Sequence, residues 1–263
     1  MTSQPSLLSR VEHGVAWVTL NRTEQRNALD IPTLTALIDV LDGHETDPAV
    51  RVLVLTGNGK GFCAGADVAE WADAERRGIL ETYGWTETAH QLMNRVHGFS
   101  KPTIAAINGI AVGAGMDLTL CCDLRLAAQS ARFKAGYTSM AYSPDAGASW
   151  HLPRLIGLEQ TKRLLFLDEI WSADRALATG LVSEICADET LIAQTTELAT
   201  RLASGPTFAF AQTKVLIRDS ARRSLAEQLD AEQAAGLLCG RSQDGAEALR
   251  AAVEKRTPHF IGQ

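Results

Sequence analysis

Two segments of the chain combine the pattern of a buried strand, a turn of small residues and the start of a helix. They are VLVLTGNGKGFCAGADV, from Val52 to Val68, and PTIAAINGIAVGAGMDL, from Pro102 to Leu118. Small residues let a ligand approach the main chain, and the first N–H groups of a helix have no partner within it. Two such turns side by side could aim two N–H donors at one oxygen, forming an oxyanion hole. Ordinary strand-to-helix turns share this pattern, so spacing alone leaves both interpretations open.

Other catalytic motifs are incomplete. Gly113-Ala-Gly115 follows a predicted strand, but position 118 is a leucine, so the dinucleotide fingerprint is not met. The run from Gly57 to Gly61 is followed by no Gly-Lys-Ser/Thr, which excludes a P-loop. The sequence has no His-Glu-x-x-His motif, no clustered cysteines and histidines and no Gly-x-Ser-x-Gly elbow. We therefore expect no bound metal.

Composition restricts the class of protein. Of 263 residues, 46% are hydrophobic and 21% are charged, which is typical of a globular chain and not of a disordered one. The net charge of −6 argues against nucleic acid as the main partner, because phosphate binding requires a basic surface. Five cysteines without a Cys-x-x-Cys pair fit a reducing compartment. The N-terminus lacks a signal-peptide core, and the apolar run Pro102–Cys122 is broken by Asn108-Gly109, so we expect a soluble cytoplasmic protein without a membrane span.

The elements that position these turns alternate between strand and helix. The predicted strands are Leu7–Glu12, Val15–Leu20, Val50–Thr56, Thr103–Ile107, Leu124–Ala128 and Leu181–Cys186. The predicted helices are Ile31–Leu41 with Asp30 as N-cap, Ile79–His97, Val112–Cys121 and most of Thr190–Arg256. Gly57–Gly65 is predicted to be a loop. Alternation up to about residue 187, followed by a helical tail, indicates an α/β fold with a mostly parallel sheet.

The residues of these two turns resemble those of a known family. The runs Phe-Cys-Ala-Gly-Ala-Asp (62–67) and Ile-Asn-Gly-x-Ala-x-Gly-x-Gly (107–115) are similar to those of the crotonase superfamily of enoyl-CoA hydratases and isomerases. NRTEQRNALD (21–30) and AVEKRTPHFIG (252–262) extend the resemblance from about residue 8 to the C-terminus. The resemblance implies a spiral of ββα repeats over residues 1–200 that holds the acyl-CoA site. It also implies a helical region over 201–263 that builds a homotrimer or a dimer of trimers.

The resemblance also implies a substrate and its contacts. The substrate would be an acyl-CoA thioester, with coenzyme A arriving as part of it and no other cofactor. The N–H groups of Ala66 and Ala114 would bind the thioester oxygen. Other residues would contact the coenzyme A portion, namely Ala64, Ala66 and Asp67, together with Gln25, Arg26 and Ala28 of the nucleotide-binding loop. Two positions differ from the family, which often has lysine at Glu24 and commonly has glycine at Ala114.

The side chains that decide the reaction depart from the hydratase pattern. Hydratases place glutamates where Asp117 and Tyr137 stand, and such a pair holds the reacting water. A tyrosine with an ordinary pKa of about 10 is a poor base near neutral pH. Asp145 stands where family members that shift double bonds or rearrange rings often have an aspartate. The resemblance is closest to ring-epoxide isomerases of aryl-acetyl-CoA breakdown and to dienoyl-CoA isomerases, so Asp145 is our predicted acid/base, with Asp117 as a second one or as an orienting group.

Three alternatives remain. An enoyl-CoA hydratase would use Asp117 and Asp145 as its pair. A hydrolase resembling aryl-CoA dehalogenases would use Asp145 as nucleophile and His90 as base, with Tyr137 in place of their tryptophan. A non-catalytic acyl-CoA binder would need neither acid; Asp145 could then be a helix N-cap after Pro144, and Asp117 could complement a helix dipole.

Overall fold

The computed structural model describes residues 4–263, with only the main chain for Glu81. Its strands are β1 Leu7–Glu12, β2 Val15–Leu20, β3 Val52–Gly57, β4 Gly61–Cys63, β5 Thr103–Ile107, β6 Ile110–Val112, β7 Leu124–Ala128, β8 Arg132–Lys134, β9 Trp171–Ser172 and β10 Glu184–Cys186. Its α-helices are α1 Ile31–Thr46, α2 Val68–Arg76, α3 Trp85–Gly98, α4 Ala114–Leu120, α5 Ala148–Leu167, α6 Ala173–Thr179, α7 Leu191–Ala203, α8 Thr207–Ser220, α9 Leu225–Gly240 and α10 Gln243–Glu254.

The larger sheet has six strands in the order β1-β2-β3-β5-β7-β10. Within the described part of this sheet only β1 and β2 pair antiparallel, and they are joined by His13 and Gly14, with φ of 51° and 79°. Two positive φ values are what a tight hairpin turn requires. The remaining pairs are parallel, as the alternation of strands and helices predicted.

The central strands are apolar because both faces of the sheet are covered. Along β3, Leu53 and Leu55 join the main core with α1, whereas Val52 and Val54 pack in a second core with α7. Strands covered on both faces lose the alternation of apolar and polar residues. The continuous apolar runs in the sequence therefore predicted these strands correctly.

A smaller sheet of four strands, β4-β6-β8-β9, runs beside the larger one. Strands β3 and β4 precede α2, β5 and β6 precede α4, and β7 and β8 precede α5, which confirms the ββα repeat. The prediction of one loop over Gly57–Gly65 was wrong, because Gly61–Cys63 pairs with β6. A three-residue strand is too short to have a periodic pattern, so only its partner strand reveals it.

Three further boundaries differ from the predictions. Helix α4 begins at Ala114 and not at Val112, because Gly113 has φ 52° and ψ −129°, outside the helical region. The helix predicted over Ile79–His97 begins at Trp85, after Gly84 with φ 80°. The last predicted strand shortens to β10, since the N–H of Leu181 instead bonds the Ala176 carbonyl at 2.8 Å. Helix α1 begins as predicted, with Asp30 Oδ1 accepting from the Thr33 N–H at 2.8 Å.

The helical tail predicted after Thr190 is confirmed as α7 to α10. Helix α8 is attached to the spiral by Lys214, whose Nζ lies 2.7 Å from Asp123 Oδ2 and also donates to the Lys101 carbonyl. The final residues are held by Asp244, whose carboxylate accepts from the N–H groups of Ile261 and Gly262. None of the helices described within residues 4–263 combines the length and apolarity needed to span a membrane.

Candidate active site

The first small-residue turn is aligned by the segment that follows β2. The Leu29 N–H donates to the Gly65 carbonyl at 2.8 Å, and the Asp67 N–H donates to the Leu29 carbonyl at 3.1 Å. In this parallel bridge the N–H of Ala66 points away from Leu29. Among residues 4–263 this N–H has no hydrogen-bond acceptor, so it is free for a ligand.

The second turn brings another free donor to the same place. Ala114 is the first residue of α4, and its N–H lacks an acceptor among the described residues. Gly65, at φ 90°, lies against this turn, since an added Cβ would come within 2.7 Å of the Val112 carbonyl oxygen and 3.6 Å of the Ala114 nitrogen. The absence of a side chain at Gly65 therefore allows the two turns to meet.

A cavity of about 90 Å³ lies where the two turns meet. Its walls include five of the predicted site residues: Ala64, Ala66, Ala114, Tyr137 and Asp145. Two residues with unpaired N–H groups, Ala66 and Ala114, and one acidic residue, Asp145, thus border a single small space, and stabilising an oxyanion beside a base requires these groups together. Asp117, His90, Gln25, Arg26, Ala28 and Asp67 lie outside these walls.

Asp145 lies on the loop before α5, partly buried. The N-cap of α5 is Gly147, so the alternative role of Asp145 as helix cap does not apply. Burial raises the pKa of Asp145 above its ordinary value, and the nearby His90 partly offsets that effect. A carboxylate with a raised pKa is a stronger base than a solvated one.

Asp117 lies behind Tyr137, fully buried. Its Oδ2 accepts from the Tyr137 hydroxyl at 2.6 Å and from the Ala148 N–H at 3.3 Å, while its Oδ1 has no partner among the described residues. Burial raises the pKa of Asp117 to about 7, although the Tyr137 hydrogen bond acts in the opposite direction. Burial and the Asp117 charge raise the pKa of Tyr137 as well, so its hydroxyl stays protonated.

His90 lies on the exposed side of α3, on the wall of a different cavity of about 320 Å³. Its Nε2 lies 2.6 Å from the main-chain oxygen of Asp145, so its hydrogen-bond partner is the main chain and not the carboxylate. Cys63 is buried, and burial raises the pKa of its thiol to about 12, so the thiol stays protonated and serves as a small packing residue.

The predicted nucleotide-binding loop borders the first turn. Gln25 and Arg26 are exposed, and Ala28 is buried. The Arg26 carbonyl accepts from the Ala64 N–H at 3.0 Å, which connects this loop directly to the cavity wall. The side chain of Asp67 caps α2 and forms an ion pair with Arg22 at 3.0 Å.

Several residues of the cavity wall were not identified from the sequence. Trp71 of α2 lines it together with Met140 and Tyr142, and Trp71 makes edge contacts with Trp85 and Tyr142 at centroid distances of 5.2 and 5.7 Å. Trp85 is anchored by its Nε1–H, which donates to the Leu29 carbonyl at 2.7 Å. Trp71 and Tyr142, which the sequence did not point to, come from segments far apart in the chain, so no local spacing relates them.

The chain matches a known protein family over nearly its whole length. A family model described as Enoyl-CoA hydratase/isomerase matches residues 10–263. This chain belongs to the enoyl-CoA hydratase/isomerase family. Membership confirms the predicted resemblance to the crotonase superfamily and the role of the chain as an acyl-CoA enzyme of that family.

The relatives of this chain are named for different reactions. It is 36% identical over 259 residues to the 1,2-epoxyphenylacetyl-CoA isomerase of Escherichia coli K12, covering 98% of each chain. It is 34% identical over 249 residues to the 2,3-dehydroadipyl-CoA hydratase of the same strain, covering 95% of this chain and 96% of the relative. The solved structure of Pseudomonas aeruginosa PA4980 is 70% identical, with a TM-score of 0.85, and covers 89% of this chain and 99% of that one.

Proposed function

We propose that this enzyme is an acyl-CoA isomerase in which Asp145 moves a proton while Ala66 and Ala114 bind the thioester oxygen. The observation that carries the proposal is the composition of the small cavity wall. Among the described residues, Asp145 is the one carboxylate that lines it together with the two free N–H groups. A single base beside an oxyanion hole suits removal and return of a proton on the substrate.

The proposed reaction has two proton transfers. The Asp145 carboxylate removes a proton from the α- or γ-carbon, and the negative charge moves to the thioester oxygen, where the N–H groups of Ala66 and Ala114 stabilise it. The protonated Asp145 then returns the proton to another carbon. Burial, which raises the pKa of Asp145, favours both steps, because the group is a stronger base and still a usable acid. Coenzyme A takes part as a portion of the substrate, and the shift involves no change in oxidation state.

The acyl group is proposed to carry a ring. Trp71, Trp85 and Tyr142 form a cluster of edge contacts beside Asp145, and aromatic side chains favour flat, apolar ligands. Similarity to an enzyme named for isomerising a phenylacetyl-CoA epoxide supports the same substrate class. The coenzyme A arm would pass Ala64 and Asp67 toward the exposed loop of Gln25, Arg26 and Ala28.

The alternative reactions fit the positions of the side chains less well. A hydratase pair would need Asp117 and Asp145 to share one water, but Asp117 is fully buried behind Tyr137. A dehalogenase-type hydrolase would need His90 to activate water near Asp145, but His90 Nε2 contacts the Asp145 main chain from outside the cavity.

Proton exchange in D₂O tests the proposal. Incubation with a 3-enoyl-CoA and with a phenylacetyl-CoA should produce deuterium at the α- or γ-carbon by mass spectrometry, together with the conjugated isomer of the enoyl ester. Asp145→Asn should lower that exchange by about 10²–10⁴-fold with acyl-CoA binding retained in calorimetry, because the amide cannot accept the proton. Glu87→Gln is the matched control on the neighbouring cavity wall and should keep its activity.

Other results would identify the alternatives. Rapid addition of water to crotonyl-CoA would contradict the isomerase and favour the hydratase. Halide release from 4-chlorobenzoyl-CoA, with an ester trapped on Asp145, would favour the hydrolase. Tight binding of acyl-CoA without any turnover would favour a non-catalytic binder.

Self-association as a homotrimer or a dimer of trimers is proposed as well. The C-terminal helices expose apolar side chains on their surface, including Leu225, Leu249 and Val253, which are 75%, 69% and 85% exposed. Surfaces of this kind commonly form contacts between subunits. Light scattering coupled to size exclusion should give three or six times the chain mass, and a monomer would contradict the proposal.

A further inference from the structure

The loop that carries Asp145 is held from two sides. On one side, the Asp145 main-chain oxygen lies 2.6 Å from His90 Nε2 of α3. On the other side, the Ala148 N–H donates to the Asp117 carboxylate at 3.3 Å. Between these contacts Gly147 has φ 112°, in the positive-φ region that glycine adopts without steric cost. These two hydrogen bonds hold the main chain on either side of Gly147, in the loop that carries the Asp145 carboxylate.

The hydrogen bond to the Asp145 carbonyl assigns a hydrogen to one ring nitrogen of His90. A carbonyl oxygen only accepts hydrogen bonds, so Nε2 must carry the hydrogen and donate it. While it donates this hydrogen bond, Nε2 is not available as a base toward a ligand. The ring also faces a cavity separate from the one that Ala66 and Ala114 border. His90 thus contacts the catalytic loop without bordering the proposed reaction space.

We propose that His90 is a positioning residue for Asp145, holding its main chain so that the carboxylate faces the carbon above the oxyanion hole. The inference rests on the proposed function of Asp145. It assigns His90 a role different from the water-activating base of the hydrolase alternative. Displacing a reacting group by about 1 Å can lower a rate about 10²-fold, so one hydrogen bond to the loop is enough to affect turnover.

Two amide substitutions separate positioning from other roles. In His90→Gln the amide nitrogen lies close to the position of Nε2 and can still donate to the Asp145 carbonyl. In His90→Asn the same amide is one methylene shorter and does not reach it. Both side chains are neutral and polar, and His90 is exposed, so both variants should fold. Thermal unfolding of each variant checks this directly.

The expected result is a difference in kcat between the two variants. In the deuterium-exchange assay with a 3-enoyl-CoA, His90→Asn should lower kcat by about 10- to 100-fold, with little change in KM, because binding contacts are intact. His90→Gln should restore most of the lost turnover. A merely structural role would not produce this split, because the two variants should have similar melting temperatures.

Three outcomes would overturn the inference. Full activity in His90→Asn, alongside an inactive Asp145→Asn, would show that Asp145 acts without help from His90. Equal and severe loss in both His90 variants would show that the imidazole itself is needed, as a base in the hydrolase would be. Absence of exchange in the unmodified enzyme would refute the proposed function, and the positioning role with it.

Discussion

Two cavities in the described part of the chain differ greatly in size, and the smaller of the two has the features of a catalytic site. The larger, about 680 Å³, lies between the spiral and α8, whereas the space bordered by Ala66 and Ala114 is about 90 Å³. In the larger space the charged groups already have partners: Lys214 pairs with Asp123, and Arg125 donates to the Leu181 carbonyl. The smaller cavity is lined by Asp145 and by Ala66 and Ala114, whose N–H groups have no acceptor among the described residues.

The comparison shows that volume does not identify the site. Polar groups that are already paired stabilise the fold and have little left to offer a ligand, whereas unpaired donors in a confined space can bind developing charge. If this distinction is correct, substitutions in the small cavity should change turnover, and substitutions in the larger one should change only stability.

Among the substitutions that test this comparison of the two cavities, the largest effect is expected from removing one N–H donor. Proline fits the first position of a helix, so Ala114→Pro should preserve α4 while deleting the N–H that faces the cavity. We expect kcat to fall about 10²–10³-fold, as for other oxyanion-hole donors. Ala114→Gly keeps the N–H and is the matched control, expected to stay close to the unmodified enzyme. An active, folded Ala114→Pro variant would remove the oxyanion hole from the mechanism.

The buried carboxyl of Asp117, behind Tyr137, should have a smaller effect, on how the stability of the fold depends on pH. Burial raises the pKa of Asp117 to about 7 in the folded protein, above its value in the unfolded chain. The folded state therefore binds the proton more tightly, and stability should decrease as pH rises from about 4 to about 7, because ionisation of the buried group becomes a cost.

Replacing the Asp117 carboxyl should remove this dependence of stability on pH. Asp117→Asn can still accept the Tyr137 hydrogen bond but cannot ionise, so its melting temperature should vary less over this pH range and exceed that of the unmodified protein at pH 8. Each kcal/mol corresponds to about 2–4 °C for a chain of this size. The exposed Asp230→Asn variant is the control. Identical pH profiles for Asp117→Asn and the unmodified protein would show that Asp117 is not a buried titrating group.

The smallest expected effect is in the larger space. Lys214→Met removes the ion pair between Lys214 and Asp123, whose side chains are 18% and 32% exposed. The substitution should lower the free energy of unfolding by about 1 kcal/mol. The melting temperature should fall by about 2–4 °C while kcat stays unchanged. Arg76→Met breaks the more exposed pair with Asp73 and should have no measurable effect. A large loss of kcat in Lys214→Met would contradict the separation of the two spaces.

Much of the fold was predictable because it depends on local pattern. The continuous apolar run of β3, the hairpin at His13-Gly14 and the cap of α1 by Asp30 each have a signal within a few residues. The strand Gly61–Cys63 was not predictable, because three residues have no period and its pairing depends on β6. The start of α3 was placed too early because a single Gly84 in a helical pattern does not identify which residue is the cap.

At the site, the motifs and the type of chemistry could be predicted from the sequence. The positions of the side chains relative to one another could not. The sequence alone determined the family, the two small-residue turns and the residue types available for proton transfer: Asp145, Asp117 and Tyr137. Only the tertiary structure decided that Asp145 borders the cavity while Asp117 lies behind Tyr137, and that His90 contacts a main-chain oxygen. The physical reason is that side-chain direction and burial depend on how distant segments pack, and no spacing along the chain encodes that packing.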